Sequence, residues 1–192
     1  MTTFLKYFRP LPTLNSPRLS LRRAYLTDVE DLFICMHNPK VCLYEVWHAH
    51  KTHLETLGFV NMLITRYDNH TCTDWVIERK SDNRAIGVIN LHDFSVTNRY
   101  AEIGFWLAED CWRNGFATES ALLVLDFAFH TLKLNKVSGL CTSENNACKQ
   151  LLQHLGMTYE GTLRKHIKIN NQFQDIDVFS ILSEEFRLPQ NS

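Results

Sequence analysis

The segment Tyr100 to Glu119, YAEIGFWLAEDCWRNGFATE, constrains the fold of this chain most. Its first part, Ala101 to Leu107, carries Ile, Phe and Trp, which suit a pleated and largely buried strand. A turn follows at Trp112-Arg113-Asn114-Gly115-Phe116-Ala117, and then an apolar helical run from Ala121 to Phe129. Glycine and alanine keep the turn's backbone bare, so successive N–H groups can converge on an anion. The helix that starts there adds the positive end of its dipole. A strand, a bare turn and a helix in this order predict a phosphate-bearing ligand.

The rest of the chain reads as alternating strands and helices. Leu19 to Arg23 alternates as a strand, and Thr27-Asp28-Val29-Glu30 is a capping box that opens a helix to about His37. Asn38-Pro39 stops it. Thr52-His53-Leu54-Glu55 opens a second helix to about Tyr67. Trp75 to Glu78 and Ala85 to Asp93 read as strands joined by the turn Ser81-Asp82-Asn83. Beyond the central segment come a strand at Lys136 to Thr142 and a helix from Asn146 to Leu155, stopped by Gly156. A hairpin, Tyr159 to Ile169 and Phe173 to Leu182, turns at Asn170-Asn171. The order is mixed α/β around a central sheet. At 192 residues it is most simply one domain, residues 16–186, with an N-terminal arm (1–15, carrying two prolines) and a short tail (187–192).

Five segments, which follow the family's order along the chain, resemble the GCN5-related N-acetyltransferases (GNAT). Arg113 to Ala117 is similar to the end of their Q/R-x-x-G-x-G/A motif, with Trp112 in place of its first residue. SPRLSLR (Ser16 to Arg22) and AIGVINLH (Ala85 to His92) resemble strands of the RimJ/RimL-type branch, whose members acetylate ribosomal-protein N-termini. ENNACKQLLQHLGM (Glu144 to Met157) and EGTLRKHI (Glu160 to Ile167) resemble its later segments. The resemblance implies a mostly antiparallel, twisted sheet flanked by helices and splayed between its fourth and fifth strands. It implies acetyl-CoA as cosubstrate and direct attack by an amine in a ternary complex.

It also implies roles for residues. Trp112, Arg113, Asn114, Gly115, Phe116, Ala117 and Thr118 would cradle the pyrophosphate. Phe105, Trp106 and Leu107 would offer backbone groups to the pantetheine arm, and Asn145 would bond that arm or an ordered water. Glu102 has the offset of the general-base glutamate in histone-type relatives. Its neighbours Tyr100, Ile103 and Phe105 are expected to desolvate it and raise its pKa; otherwise it binds the acceptor amine. The usual acid tyrosine is replaced by Leu152, and the branch's serine by Cys148, one helical turn away on the same face. Cys148 is therefore the expected proton donor to the departing sulfur, or a small packing residue. Trp47, His48, His92 and Phe94 would line the acceptor groove.

Composition excludes several classes. Net charge is −1, so neither nucleic acid nor an anionic membrane surface is an expected partner. No apolar run is long enough to span a bilayer, and no signal sequence is visible. The six cysteines, Cys35, Cys42, Cys72, Cys111, Cys141 and Cys148, form no C-x-x-C pair and read as free thiols in a reducing cytoplasm. His48, His50 and His53 form H-x-H-x-x-H without Cys or carboxylate partners, so no metal site is expected. The acceptor is expected to be a protein N-terminal α-amine. The alternatives are a small amine (polyamine, amino sugar or antibiotic) and a non-catalytic acyl-CoA-binding module. A homodimer is compatible with this reading.

Overall fold

The computed structural model describes residues 6–69 and 73–188; Cys72 and both chain ends lie outside them. In chain order the elements are β1 (Leu14–Asn15), β2 (Leu19–Arg22), α1 (Val29–Met36), α2 (His53–Asp68), β3 (Asp74–Arg79), β4 (Arg84–Ser95) and β5 (Tyr100–Leu107). Then follow α3 (Phe116–Asp126), β6 (Lys136–Thr142), α4 (Asn146–His154), β7 (Thr158–Ile169) and β8 (Gln172–Leu182). The strands lie in the order β1-β2-β3-β4-β5-β6-β8-β7. Every pairing is antiparallel except β5 with β6, which the α3 crossover joins in parallel.

Local chemistry explains most boundaries. Asn170 and Asn171 both have positive φ (47° and 65°), the twist that a two-residue hairpin requires. Gly156 at φ 82° ends α4. Thr27 does not cap α1. Arg22 grips both oxygens of Asp28 at 2.8 Å, and Asp28 takes the Tyr25 N–H, so a short 3₁₀ turn precedes the helix. Residues 6–15 pack against the domain rather than extending from it. Phe8 is buried edge-on to Phe127, and β1 pairs with β2.

The sheet has two covered faces. On one, α3 and α4 bury Leu19, Leu21, Trp75, Ile77, Ile103 and Phe179. On the other, α1 and α2 bury Val60, Leu63, Val76 and Val88. Strand alternation therefore sends Ala101, Ile103, Phe105 and Leu107 to the α3 side, and Tyr100, Glu102, Gly104 and Trp106 to the α1–α2 side.

The β5–β6 ladder runs from Tyr100↔Lys136 to Ile103↔Gly139 and stops there, although both strands continue. Beyond that point β5 stays on β4, out to Gly87↔Leu107, while β6 follows β8 through Thr142↔Ile176. The sheet splays here, as expected between its fourth and fifth strands when the two-residue β1 is not counted.

Gly87 holds the free end of β5 in place. A Cβ there would fall on the Trp106 carbonyl oxygen and 3.0 Å from Leu107 Cα. Gly87→Ala should lower stability in urea unfolding by about 1–3 kcal/mol, the range for overpacking. It should also weaken acetyl-CoA binding, because it displaces the strand end that borders the gap.

Candidate active site

The turn after β5 has the shape an anion site needs. Arg113 (φ 60°) and Gly115 (φ 77°) are both left-handed, which turns the chain sharply into α3. The first intrahelical bond runs from Glu119 N–H to Gly115 carbonyl at 3.0 Å. The N–H groups of Phe116, Ala117 and Thr118 therefore have no intrahelical partner. A carboxylate in this first turn would repel phosphate, but Glu119 is already engaged. Burial opposes its ionisation, yet bonds from Ser16 Oγ (2.6 Å) and Arg18 Nε (2.6 Å) hold it below its ordinary pKa. Arg18 also donates to the Asn114 carbonyl at 3.0 Å and lies over the Phe116 ring. Its guanidinium would meet a Cβ on Gly115 at 3.3 Å. Bare amides, a helix start and a nearby cation fit a pyrophosphate.

The gap beside β5 continues from this cradle. Peptide groups of successive strand residues face opposite edges. Ala108 N–H bonds Ile86 on the β4 side at 2.8 Å, so the peptide groups of Phe105 and Leu107 face the gap. Those of Trp106 face β4, so this residue does not serve as the expected backbone contact. Its indole instead walls the α1–α2 side, 5.8 Å from the Trp47 ring and 6.4 Å from Phe59. Trp112 donates its indole N–H to the Leu107 carbonyl at 2.9 Å, which ties the cradle to the strand end.

Across the sheet lies a polar cluster. Glu102 is half-buried and accepts from Tyr100 Oη at 2.7 Å; burial, with Glu102 adding to it, pushes the Tyr100 phenol up to about 12. His92 pairs with Glu102 in register and holds Asp93 at 2.9 Å. Donor atoms of His92, Asp93 and Glu102 lie within 4.8 Å of one another. Ile103 and Phe105, expected to shield Glu102, point through to the other face, because adjacent strand residues alternate. Asn90 donates to Asp74 at 2.8 Å, while its buried Oδ1 has no partner among the described residues. A Cβ at Gly104 would sit 2.9 Å from that oxygen and 3.2 Å from His92 Nε2.

On the β6 side, Asn145 Oδ1 accepts from Cys148 N–H at 3.1 Å and so caps α4. Its amide nitrogen has no partner among the described residues. Leu152 is buried on Gly139, where a Cβ would meet it at 2.6 Å. Cys148, half-buried, shares a hydrogen bond with Cys141 of β6. That bond and burial push the Cys148 thiol well up, so it carries its proton at neutral pH.

Residues 18–158 match the family model described as acetyltransferase (GNAT) domain. The chain belongs to the GNAT acetyltransferase family. It is an N-acetyltransferase that uses acetyl-CoA. The uncharacterised N-acetyltransferase YoaA of Bacillus subtilis is 30% identical over 171 residues, covering 89% of this chain and 97% of that one. YdaF of the same organism, a candidate ribosomal N-acetyltransferase, is 30% identical over 105 residues, 55% of this chain and 57% of that one. A GNAT acetyltransferase structure from Bacillus anthracis superposes with a TM-score of 0.80 at 25% identity, over 91% of this chain and all of that one.

Within this GNAT domain the expected residues divide clearly. Those from Arg113 to Thr118, with Phe105, Leu107 and Asn145, border the gap or the cradle. Trp47 and His92 lie on the α1–α2 side of the sheet, and His48 is exposed. Phe94 does not join them; it packs on Phe8 at 6.0 Å. His50 and His53 are used separately, on Thr56 (2.8 Å) and Glu30 (3.0 Å). Among the described residues no helix is long and apolar enough to cross a membrane. Arg18, Asn90 and Cys141 were missed as site residues. Arg18 sits inside the SPRLSLR match, which offered a signal; the other two depend on strand pairing.

Gly115→Glu should place bulk and negative charge in the cradle. Acetyl-CoA binding by calorimetry should be lost while far-UV circular dichroism is unchanged. At Cys148, replacement by Ser should retain activity and replacement by Ala should lower turnover about tenfold, near the weak end of acid–base effects. Equal rates for the two variants would mark it as a packing residue.

Proposed function

We propose that this acetyltransferase acts on the N-terminal α-amine of a protein by direct transfer in a ternary complex. The observation that carries this reading is the open acidic mouth on the α1–α2 face. Glu102 is half-buried, whereas the His92 and Asp93 side chains are 43% and 73% exposed. A terminal ammonium can therefore reach Glu102 while the rest of its chain stays outside. Glu102, oriented by Tyr100, holds that ammonium, and Asn90 Oδ1 accepts a further N–H. Trp47 and Trp106 form an apolar wall beside them. The cradle and the mouth lie on opposite faces of the sheet, and the splay joins them. That arrangement supports a single transfer step with both substrates present. Cys148 supplies a proton to the departing sulfur. The description of YdaF supports a protein acceptor.

The test is thiol release from acetyl-CoA with a panel of acceptors. Peptides with free N-termini should turn over, and the same peptides with formylated N-termini should not. Turnover confined to polyamines, amino sugars or aminoglycosides would reassign the acceptor. Tight acetyl-CoA binding with no release to any amine would mark a binding module. Glu102→Gln should raise the acceptor KM about tenfold to a hundredfold, the worth of one charged hydrogen bond. Acetyl-CoA affinity should not change. An unaltered acceptor KM would remove Glu102 from the mouth.

A further inference from the structure

Regular alternation would send His92 and Asp93 of β4 to opposite faces of the sheet. Asp93 instead has a positive φ of 48°, and the β4–β5 register shifts between His92 and Ser95. The irregularity brings the Asp93 carboxylate back onto the α1–α2 face, where its Oδ2 meets His92 Nδ1 at 2.9 Å. Bulges re-aim side chains in this way. A carboxylate only accepts, so in the neutral ring Nδ1 carries the proton and Nε2 keeps a lone pair.

Two such lone-pair atoms converge over Gly104. Asn90 donates from its amide nitrogen to Asp74 Oδ1 at 2.8 Å, which fixes the amide and leaves Oδ1 as the atom turned to Gly104. That oxygen is buried and has no donor among the described residues. A Cβ on Gly104 would lie 2.9 Å from it and 3.2 Å from His92 Nε2. The missing side chain therefore leaves a seat within hydrogen-bond reach of two acceptors. The seat calls for an N–H donor, and the Glu102 carboxylate, within 4.8 Å of the His92 ring, favours a cationic one. The seat also adjoins the gap. The β5–β6 ladder ends at Ile103↔Gly139, and Gly104 is the first residue of β5 beyond it.

We propose that His92 is the general base of the acetyl transfer, with the acceptor amine seated over Gly104 between His92 Nε2 and Asn90 Oδ1. Asp93 is a positioning residue that fixes the ring and its tautomer. This rests on the amine mouth proposed above. Glu102, already bonded to Tyr100, offsets the ammonium charge, and His92 removes the proton. Imidazole suits that step because it exchanges protons near neutral pH. The step balances without another reagent. His92 takes one proton from the ammonium, and the freed lone pair forms the bond to the thioester carbonyl carbon. The C–S bond breaks with its electron pair on sulfur, and Cys148 protonates that sulfur. The second nitrogen proton passes to water, water returns one to Cys148, and His92 releases its own to water.

The first test is kinetic, with a peptide bearing a free N-terminus or whichever amine the acceptor panel identifies. His92→Ala should lower kcat roughly 10²–10⁴-fold and leave acetyl-CoA affinity by calorimetry unchanged. Imidazole added to the medium should restore part of its rate. Asp93→Asn keeps a residue that tolerates the left-handed backbone but removes the charge. Its kcat should fall less, with the acceptor KM unmoved, whereas Glu102→Gln moves that KM. A His92→Ala enzyme that keeps its kcat, or whose loss imidazole does not repair, overturns the inference. The second test needs no acceptor. In nitrogen NMR of isotope-labelled histidine at mildly alkaline pH, the ring signals lost in His92→Ala should show the proton on Nδ1. A proton on Nε2 would leave no lone pair for the amine and would overturn the proposal. Failure of the acceptor reading looks different: the wild type would release no thiol to peptides, while the His92 tautomer and the imidazole rescue with another amine would stand.

Discussion

The parting of β5 from β6 is the constraint around which this molecule is arranged. Two parallel strands that start in register and then diverge leave peptide groups unpaired along both edges. Buried unpaired peptide groups are costly, so such a gap is stable only where water or a ligand can satisfy them. Each strand is drawn away by a different partner. β4 holds β5 through Gly87↔Leu107, and β8 holds β6 through Thr142↔Ile176. Gly87, where no side chain fits, lets β5 lie close on β4, and Gly139 leaves room for Leu152 of α4 on β6. The cradle stands at one end of the gap because the α3 crossover must begin where β5 ends.

Charge is distributed to suit this geometry. The acid nearest the phosphate cradle, Glu119, is neutralised by Ser16 and Arg18, which leaves the amide dipoles and a guanidinium to meet an anion. On the opposite face the carboxylates are left available. Glu102 is oriented by Tyr100 at a mouth open to solvent. On the β6 side of the gap, the bond to Cys141 and burial keep the Cys148 thiol protonated.

The aromatic residues link these regions. Trp112 stands at the Gln/Arg position of the motif, and its indole N–H closes onto the Leu107 carbonyl. A bond from the turn back to the strand end replaces whatever a polar side chain would do there. Trp47 and Trp106 play the corresponding part on the α1–α2 face, where their rings meet edge-on and brace the segment between α1 and α2 against β5.

Local patterns in the chain were sufficient for the elements themselves. The alternation of β5, the Gly115 turn, the asparagine hairpin and the Gly156 stop each depend on a few consecutive residues, and each forms where expected. The ligand class was also legible, because an anion cradle is built from neighbouring amides. What depends on pairing between distant segments was not. Ile103 and Phe105 adjoin Glu102 in the chain but lie across the sheet from it. Phe94 turns to Phe8, and Thr27 yields its cap to an Arg22–Asp28 pair. The cluster of Glu102, His92 and Asp93 was decided only by tertiary structure: the β4–β5 register brings His92 opposite Glu102, and the gap beside β5 exists because two other strands pull β5 and β6 apart. A sequence specifies short-range geometry directly, whereas the dielectric around a carboxylate is set by whatever the whole fold packs against it.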